Sequence, residues 1–195
     1  MRATLAGMEQ RAAPTVLAAS GRAYATFPAA VVAVIVNARE ELLLLEHPRR
    51  KGLWEPVNGA VDGGETLLEA ALREVKEEAG AGLQVRPLSV VHASTFAYDA
   101  HLQRVISVVY LMAHEGGNAQ PGGDMSGSRV RWADLDAIGA DGLRLLPPLD
   151  QPWLRERALQ LFDRYRDAPA APLQEPLSEC GWNKHQLAEG DGETR

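Results

Sequence analysis

Residues 59–80 read GAVDGGETLLEAALREVKEEAG, a glycine-rich turn running into a helical stretch that ends in a crowd of carboxylates. Thr66 and Glu69 have the spacing of a capping box, which starts the helix at Leu67, and Gly80 stands where a glycine stop belongs. At about 100° per residue, Leu68, Ala71, Leu72, Val75 and Ala79 share one sector, the core face, while Glu74, Glu77 and Glu78 share another. The second face runs against helix energetics. Glu74 and Glu78 are like charges at i, i+4, which costs an isolated helix roughly 0.2–0.5 kcal/mol. Carboxylates in the last turns also oppose the macrodipole, by a further ~0.3–1 kcal/mol for each exposed group. Two readings account for them: a solvated face relieved by Arg73 reaching Glu77 at i+4, or a site for a hard divalent cation, which takes oxygen ligands and keeps some of its waters. Gly59, Gly63 and Gly64 favour the second, because they let main chain approach without an intervening side chain.

Outward from this stretch the pattern is that of one α+β domain. AAVVAVIVN (29–37) and ELLLLE (41–46) are apolar runs separated by a polar turn and read as a buried strand pair. A cationic loop, HPRRKG, leads to a short strand LWEPV and so to the glycine turn. GLQVRPLSVVHASTF and QRVISVVYLMAH read as a long hairpin across AYDAHL, and a glycine-rich loop (116–128) precedes the short strand RVRW. The closing segment QPWLRERALQLFDRYRD is an amphipathic helix, with Pro152 in its first turn, Asp150 as N-cap candidate, and Leu154, Ala158, Leu161, Phe162 and Tyr165 on one face. Residues 1–25 and 168–195 lack clear periodicity and read as loosely held ends around a domain at 26–167.

The stretch at 59–81 resembles the signature of the Nudix hydrolases, the MutT-like family, G-x5-E-x7-R-E-U-x-E-E-x-G-U with U a bulky aliphatic residue. Gly59, Glu65, Arg73, Glu74, Val75, Glu77, Glu78 and Gly80 stand at its spacing; only Ala81, smaller than the usual aliphatic, departs, and Leu83 offers the missing bulk. The resemblance implies an α/β/α sandwich with a mixed sheet between helices. It implies that Glu74, Glu77 and Glu78 bind metal together with the Gly59 carbonyl, that Arg73 and Glu65 hold the carboxylates in position, and that Mg2+ is the cofactor, with Mn2+ as a substitute. The reaction implied is attack of water on a diphosphate linkage in a nucleoside diphosphate derivative: a nucleoside triphosphate, dinucleoside polyphosphate, ADP-ribose or nucleotide sugar. Cations that neutralise diphosphate oxygens and acidify a bound water suit that chemistry. A rival of another class is a Nudix-fold domain that has lost catalysis and binds nucleotide as a sensor or regulator; the intact carboxylates favour the enzyme.

Outside the signature, the base for the attacking water is Glu74 or, by resemblance to relatives with an acid in the loop before the penultimate strand, Asp124, whose other reading is a local turn bond. Arg49 and Arg50, with Lys51 beside them, lie where cations meet substrate phosphates or are simply solvated. Trp54 and Tyr98 stack on a base or pack. Tyr98 falls 17 residues after the signature, similar to a tyrosine of the dinucleoside-polyphosphate members, while Ala97 stands where the ADP-ribose members carry proline. The entrance reads PVNG where relatives often read P-G-G, so the turn is expected to be shaped differently. A P-loop is excluded, because Glu65 and Thr66 follow the G-x4-G spacing where lysine and serine or threonine belong.

The composition, 46% hydrophobic and 24% charged, is that of a globular protein. A net charge of −6 argues against a polymeric nucleic acid partner and leaves a small nucleotide-type diphosphate, held through a local cationic loop or a metal. No run approaches the ~18 apolar residues of a membrane span, and the N-terminus makes a poor signal peptide. A single cysteine, Cys180, fits a reducing compartment, so a cytoplasmic location is expected. A homodimer stays open, since neither end carries a dimerisation pattern.

Overall fold

A computed structural model describes residues 13–99 and 101–168. Its centre is β3 (Ala29–Val36), which alternates its side chains between two cores: Val32, Val34 and Val36 enter one, Val31, Ala33 and Ile35 the other. β4 (Leu42–Glu46) does the same, with Leu42 and Leu44 on one side and Leu43 and Leu45 on the other. A strand buried on both faces reads as an unbroken apolar run, which is why these two do.

The remaining elements build outward from this pair. α1 (Leu67–Glu74) covers one face through Ala70 and Ala71, and α3 (Pro152–Tyr165) covers the other through Leu154, Ala158 and Phe162. β7 (Gln84–Phe96) and β8 (Val105–Gly116) form the expected long hairpin, with three register irregularities, and β8 joins β3 in parallel. With β5 (Leu53–Glu55), β6 (Val57–Ala60), β9 (Val130–Ala133) and β10 (Arg144–Leu145), the order is β10-β5-β4-β3-β8-β7, with β6 on β3 and β9 on β4. This is a mixed sheet between helices, the α+β architecture read from the sequence. No helix among the described residues is long and apolar enough to cross a membrane.

Several local expectations need correction. The single strand LWEPV is two strands: β5 pairs with β4 and β6 with β3, and the break falls at Pro56, which has no N–H for a ladder. Gly59 therefore lies within β6, opposite Val31, and not in the turn. The N-cap of α3 is Gln151, without a side-chain bond, so Asp150 does not cap it. A short helix α2 (Leu135–Ala140), capped by the Asp134 carboxylate accepting from the Ala137 amide, is invisible to periodicity at this length. The N-terminal segment holds a small hairpin, β1 (Thr15–Leu17) with β2 (Ala23–Ala25), exposed throughout. Cys180 and the C-terminal end from residue 169 lie outside the described residues.

One buried charge ties the cationic loop to the sheet. Glu46, 1% exposed, accepts from Gly52 N–H at 2.8 Å and from Arg129 Nε and Nη2 at 2.8 and 2.7 Å. The Arg129 and Gly52 bonds hold its carboxyl down at about 2. A depressed carboxyl stabilises the fold above its unfolded value and loses that contribution as pH falls toward the folded one. Glu46→Gln should therefore lower the thermal midpoint at pH 7, and the gap to the parent should narrow as pH drops from about 4.5 to 2. A gap independent of pH in thermal melts would assign the loss to packing instead of charge.

Candidate active site

Arg73, on the last turn of α1, holds the site together. Its Nε and Nη2 grip the Glu65 carboxylate at 3.1 and 2.7 Å, Nη2 also donates to the Ala60 carbonyl at 2.8 Å, and Nη1 donates to Glu74 Oε1 at 2.8 Å. Glu77 lies at the edge of this fork, 3.4 Å from Nη1. Glu65 in turn accepts from Asp62 N–H at 2.7 Å, which shapes the glycine turn. Arg73 is held far into its charged form by the Glu65 and Glu74 bonds, and the Arg73 bond keeps Glu65 below the ordinary carboxylate range.

The helix carrying these residues starts as the sequence reads, with both halves of the Thr66–Glu69 capping box formed. It does not end as a regular helix. From Val75 to Ala79 it widens into a single π turn, a feature that recurs at functional sites. The uniform 100° spacing is thereby lost, and the three glutamates are not equivalent. Glu74 is buried against β6, Glu78 is partly buried, and the Glu77 side chain is 54% exposed.

Glu74 needs the bare Cα of Gly59: a Cβ there would lie 1.9 Å from Glu74 Oε1. Glu78 reaches the next residue of β6, accepting from the Asn58 amide at 2.9 Å. Burial raises the Glu78 carboxyl, the Asn58 bond opposes that only in part, and Glu74, Glu55 and Asp124 add to the rise, which brings it to about 8. Burial also raises Glu74 against its Arg73 bond. Asp124 sits in a one-turn 3-10 helix (Gly123–Met125) and is exposed.

The structure thus gathers Glu65, Arg73, Glu74, Glu78 and Gly59, with Asp124 in electrostatic reach of Glu78. Arg49 and Arg50 are exposed on the tight loop after β4, where Leu53 N–H donates to Arg50 C=O at 3.0 Å, and Arg50 faces Glu55. Two residues are placed differently from the binding reading. Trp54 is 6% exposed in the core on the α3 side with the Arg129 guanidinium over its ring, so it is packing and not a stacking platform. Tyr98 is 72% exposed at the β7–β8 turn, and β3 and β8 separate β7 from β6, roughly 14 Å across the sheet.

Sequence reasoning missed Glu55 and Asn58. Glu55 is half-buried and raised by that burial, and the Asn58 side-chain amide donates to Pro56 C=O at 3.0 Å while lying 3.5 Å from Glu55 Oε2. Asn58 had a signal in the PVNG departure, where asparagine in place of glycine supplies a side chain beside the same backbone donor; Glu55 had none.

Among the described residues, no three His, Cys, Asp or Glu side chains converge closely enough to ligate an ion, since Glu74 turns to Arg73 and Glu78 to Asn58. The donor set still suits a hard divalent cation. It offers carboxylate oxygens without thiolate or imidazole, and in Glu78 a half-buried acid without a cationic side-chain partner.

Comparison with known proteins agrees with this geometry. A family model described as NUDIX domain matches residues 26–157. The chain is 31% identical over 123 residues to the NAD-capped RNA hydrolase NudC of Photobacterium profundum, covering 60% of this chain and 44% of that one. It is 29% identical over 152 residues to the 8-oxo-dGDP phosphatase NUDT18 of Danio rerio, covering 75% and 42%. The chain thus spans less than half the length of these curated relatives. A hydrolase of the NUDIX family from Clostridium perfringens shares the fold, with a TM-score of 0.55 at 20% identity over 70% of this chain and 96% of that one.

The charge on Glu78 gives a measurable signature without any cation. A carboxyl raised in the folded state stabilises it below the unfolded value, near 4.5, and that contribution is lost as pH rises through about 8. In chelator, stability to denaturant should fall between pH 5 and 8, and Glu78→Gln, which mimics the protonated acid, should flatten the fall. Parallel profiles for the two proteins would mean that Glu78 titrates as a solvated acid.

Proposed function

Because this chain belongs to the NUDIX family, we propose that it hydrolyses a diphosphate linkage in a nucleotide derivative, using Mg2+, or Mn2+ in its place, bound by Glu74, Glu77, Glu78 and the Gly59 carbonyl. The observation that carries this reading is the Arg73 fork, which holds Glu65, the Ala60 carbonyl and Glu74 in one array while Glu78 stays half-buried with no cationic side chain bonded to it. The activities for which the relatives are named, on NAD-capped RNA and on 8-oxo-dGDP, support the substrate class.

A bound divalent cation supplies charge neutralisation at diphosphate oxygens and lowers the pKa of a coordinated water. The chain's own residues do the rest. Arg73 and Glu65 keep the carboxylates oriented, as partners behind metal ligands do. Arg49 and Arg50 receive phosphate oxygens from the loop after β4. Asp124, exposed and close to Glu78, takes the proton as the water oxygen forms its bond to phosphorus; Glu74 is the alternative base. The bridging P–O bond breaks, and its oxygen leaves on the second phosphorylated product. A cytoplasmic location, where such nucleotides occur, belongs to the same reading.

The test is a panel of nucleoside triphosphates, dinucleoside polyphosphates, ADP-ribose, nucleotide sugars and 8-oxo-dGDP, assayed for phosphorylated products with Mg2+ or Mn2+. Glu78→Gln should abolish most turnover of the best substrate with an unchanged circular dichroism spectrum. Binding without turnover in the parent would identify a sensor instead. Arg73→Lys keeps the charge but loses the fork, and should cost about 10–100-fold in metal affinity or turnover.

A further inference from the structure

Following β8, the glycine-rich loop comes back across the end of the π turn. Gln120 N–H donates to the Ala79 carbonyl at 2.7 Å, and Gly122 N–H donates to the Glu78 carbonyl at 3.2 Å. A helix end leaves its last carbonyls without partners. Here the loop supplies two, one of them to the backbone of the half-buried Glu78 itself.

The approach is closer than side chains permit. A Cβ on Gly80 would lie 2.6 Å from the Gln120 carbonyl oxygen, and one on Gly117 would lie 1.9 Å from the Gly82 oxygen. Both of these glycines also have positive φ, +103° and +76°. Gly122 differs from them. Its φ of −129° suits any residue, and the one neighbour a Cβ would meet within 4 Å is the Glu77 carbonyl oxygen, at 2.9 Å. Glycine at 122 is therefore demanded by contact with the glutamate helix and not by its own backbone conformation.

What the loop delivers is Asp124. Immediately after Gly122 the chain makes its 3-10 turn, Met125 N–H donates to Gly122 C=O at 2.9 Å, and Met125 is buried at 4% exposure in the core beneath α1. Asp124 is thus held between an anchor on the Glu78 and Glu77 backbone and an anchor in the core. We infer that Gly122 is a positioning residue for catalysis: by seating the loop on the end of the glutamate helix, it makes Asp124 and Glu78 parts of one rigid body and fixes the proton acceptor relative to the metal-binding acids. This rests on the hydrolase reading and deepens it. Proton acceptors contribute about 10²–10⁴-fold, and a misplacement of the order of 1 Å costs about 100-fold.

The test uses the full chain and the best substrate of the panel, with Gly122→Ala, Asp124→Asn, the double variant, and Gly139→Ala as control, since nothing lies within 4 Å of a Cβ at 139. Gly122→Ala should lower kcat by tenfold or more, with KM and divalent-ion affinity within about twofold of the parent, and Gly139→Ala should leave kcat unchanged. The double variant should be no slower than Asp124→Asn, because the seat matters only through the acid it seats. Additive losses, or a fall in metal affinity in place of kcat, would overturn the proposal. So would an Asp124→Asn enzyme of normal rate beside a dead Glu78→Gln, a result that leaves the hydrolase reading intact; full turnover by Glu78→Gln would strike that reading instead. Hydrogen exchange supplies a readout independent of activity. The Gln120 and Gly122 amides should be as protected as the π turn in the parent and unprotected in Gly122→Ala, and free exchange in the parent would refute the seating. Should Gly122→Ala fail to fold, Met125→Ala loosens the second anchor and should reproduce the loss in kcat.

Discussion

A single guanidinium joins the two halves of the site. The glycine turn and the helix it feeds are consecutive in sequence, and within the turn the path is held by bonds between Asp62 and Glu65. Arg73 ties that turn to the helix, reaching back to Glu65 and the Ala60 carbonyl while holding Glu74 on its other side. A planar fork of five donors can satisfy three oxygen partners at once, which a lysine ammonium on a flexible stem cannot hold in one geometry. Since these groups are largely withdrawn from water, removing one member would leave its partners charged and unmatched, so the cluster stands or falls as a unit.

The sheet makes such a cluster affordable. β3 and β4 are buried on both faces, and each fully buried Val, Leu or Ile there contributes about 1.5–3 kcal/mol. Against that background, the few tenths to one kcal/mol lost by crowding carboxylates at a helix end is small. The position of the acids follows from the backbone beneath them. Pro56 ends β5 and lets β6 cross to β3, which brings Asn58 and Gly59 under α1. The amide of Asn58 meets Glu78, and the missing side chain of Gly59 makes room for Glu74.

Two other elements frame the acids, and both are tied down by hydrogen bonds. The cationic loop is wrapped around the buried Glu46 carboxylate, which leaves Arg49 and Arg50 exposed while Lys51 approaches Glu46 to 3.7 Å. The glycine loop lies against the C-terminal end of the helix through the Gln120 and Gly122 amides and the buried Met125 side chain. In the proposed reaction, positive charge for phosphates and a carboxylate for a proton would both come from loops, carried on the sheet and helix scaffold.

The helix start at Leu67, the strands at 29–36 and 42–46, the long hairpin and the closing helix were legible because local rules govern them: a capping box, apolar periodicity, a proline in a first turn. The identity of the clustered residues was legible for the same reason, since residue types at fixed spacing from Gly59 to Gly80 are a one-dimensional fact. Whatever depends on what another segment does in space was not. Regular helical spacing made Glu74, Glu77 and Glu78 equivalent, and only the π turn, packed under the returning loop, separates buried Glu74 and half-buried Glu78 from exposed Glu77. Trp54 and Tyr98 looked alike as aromatics near a strand; burial under Arg129 and distance across the sheet separate their fates. Glu55 had no motif to announce it and became part of the site because β5 ends beside Asn58. Sequence alone thus determined which groups this chain has to offer. Tertiary structure decided which of them are desolvated and face one another, because burial and approach are properties of packed neighbours and not of spacing along a chain.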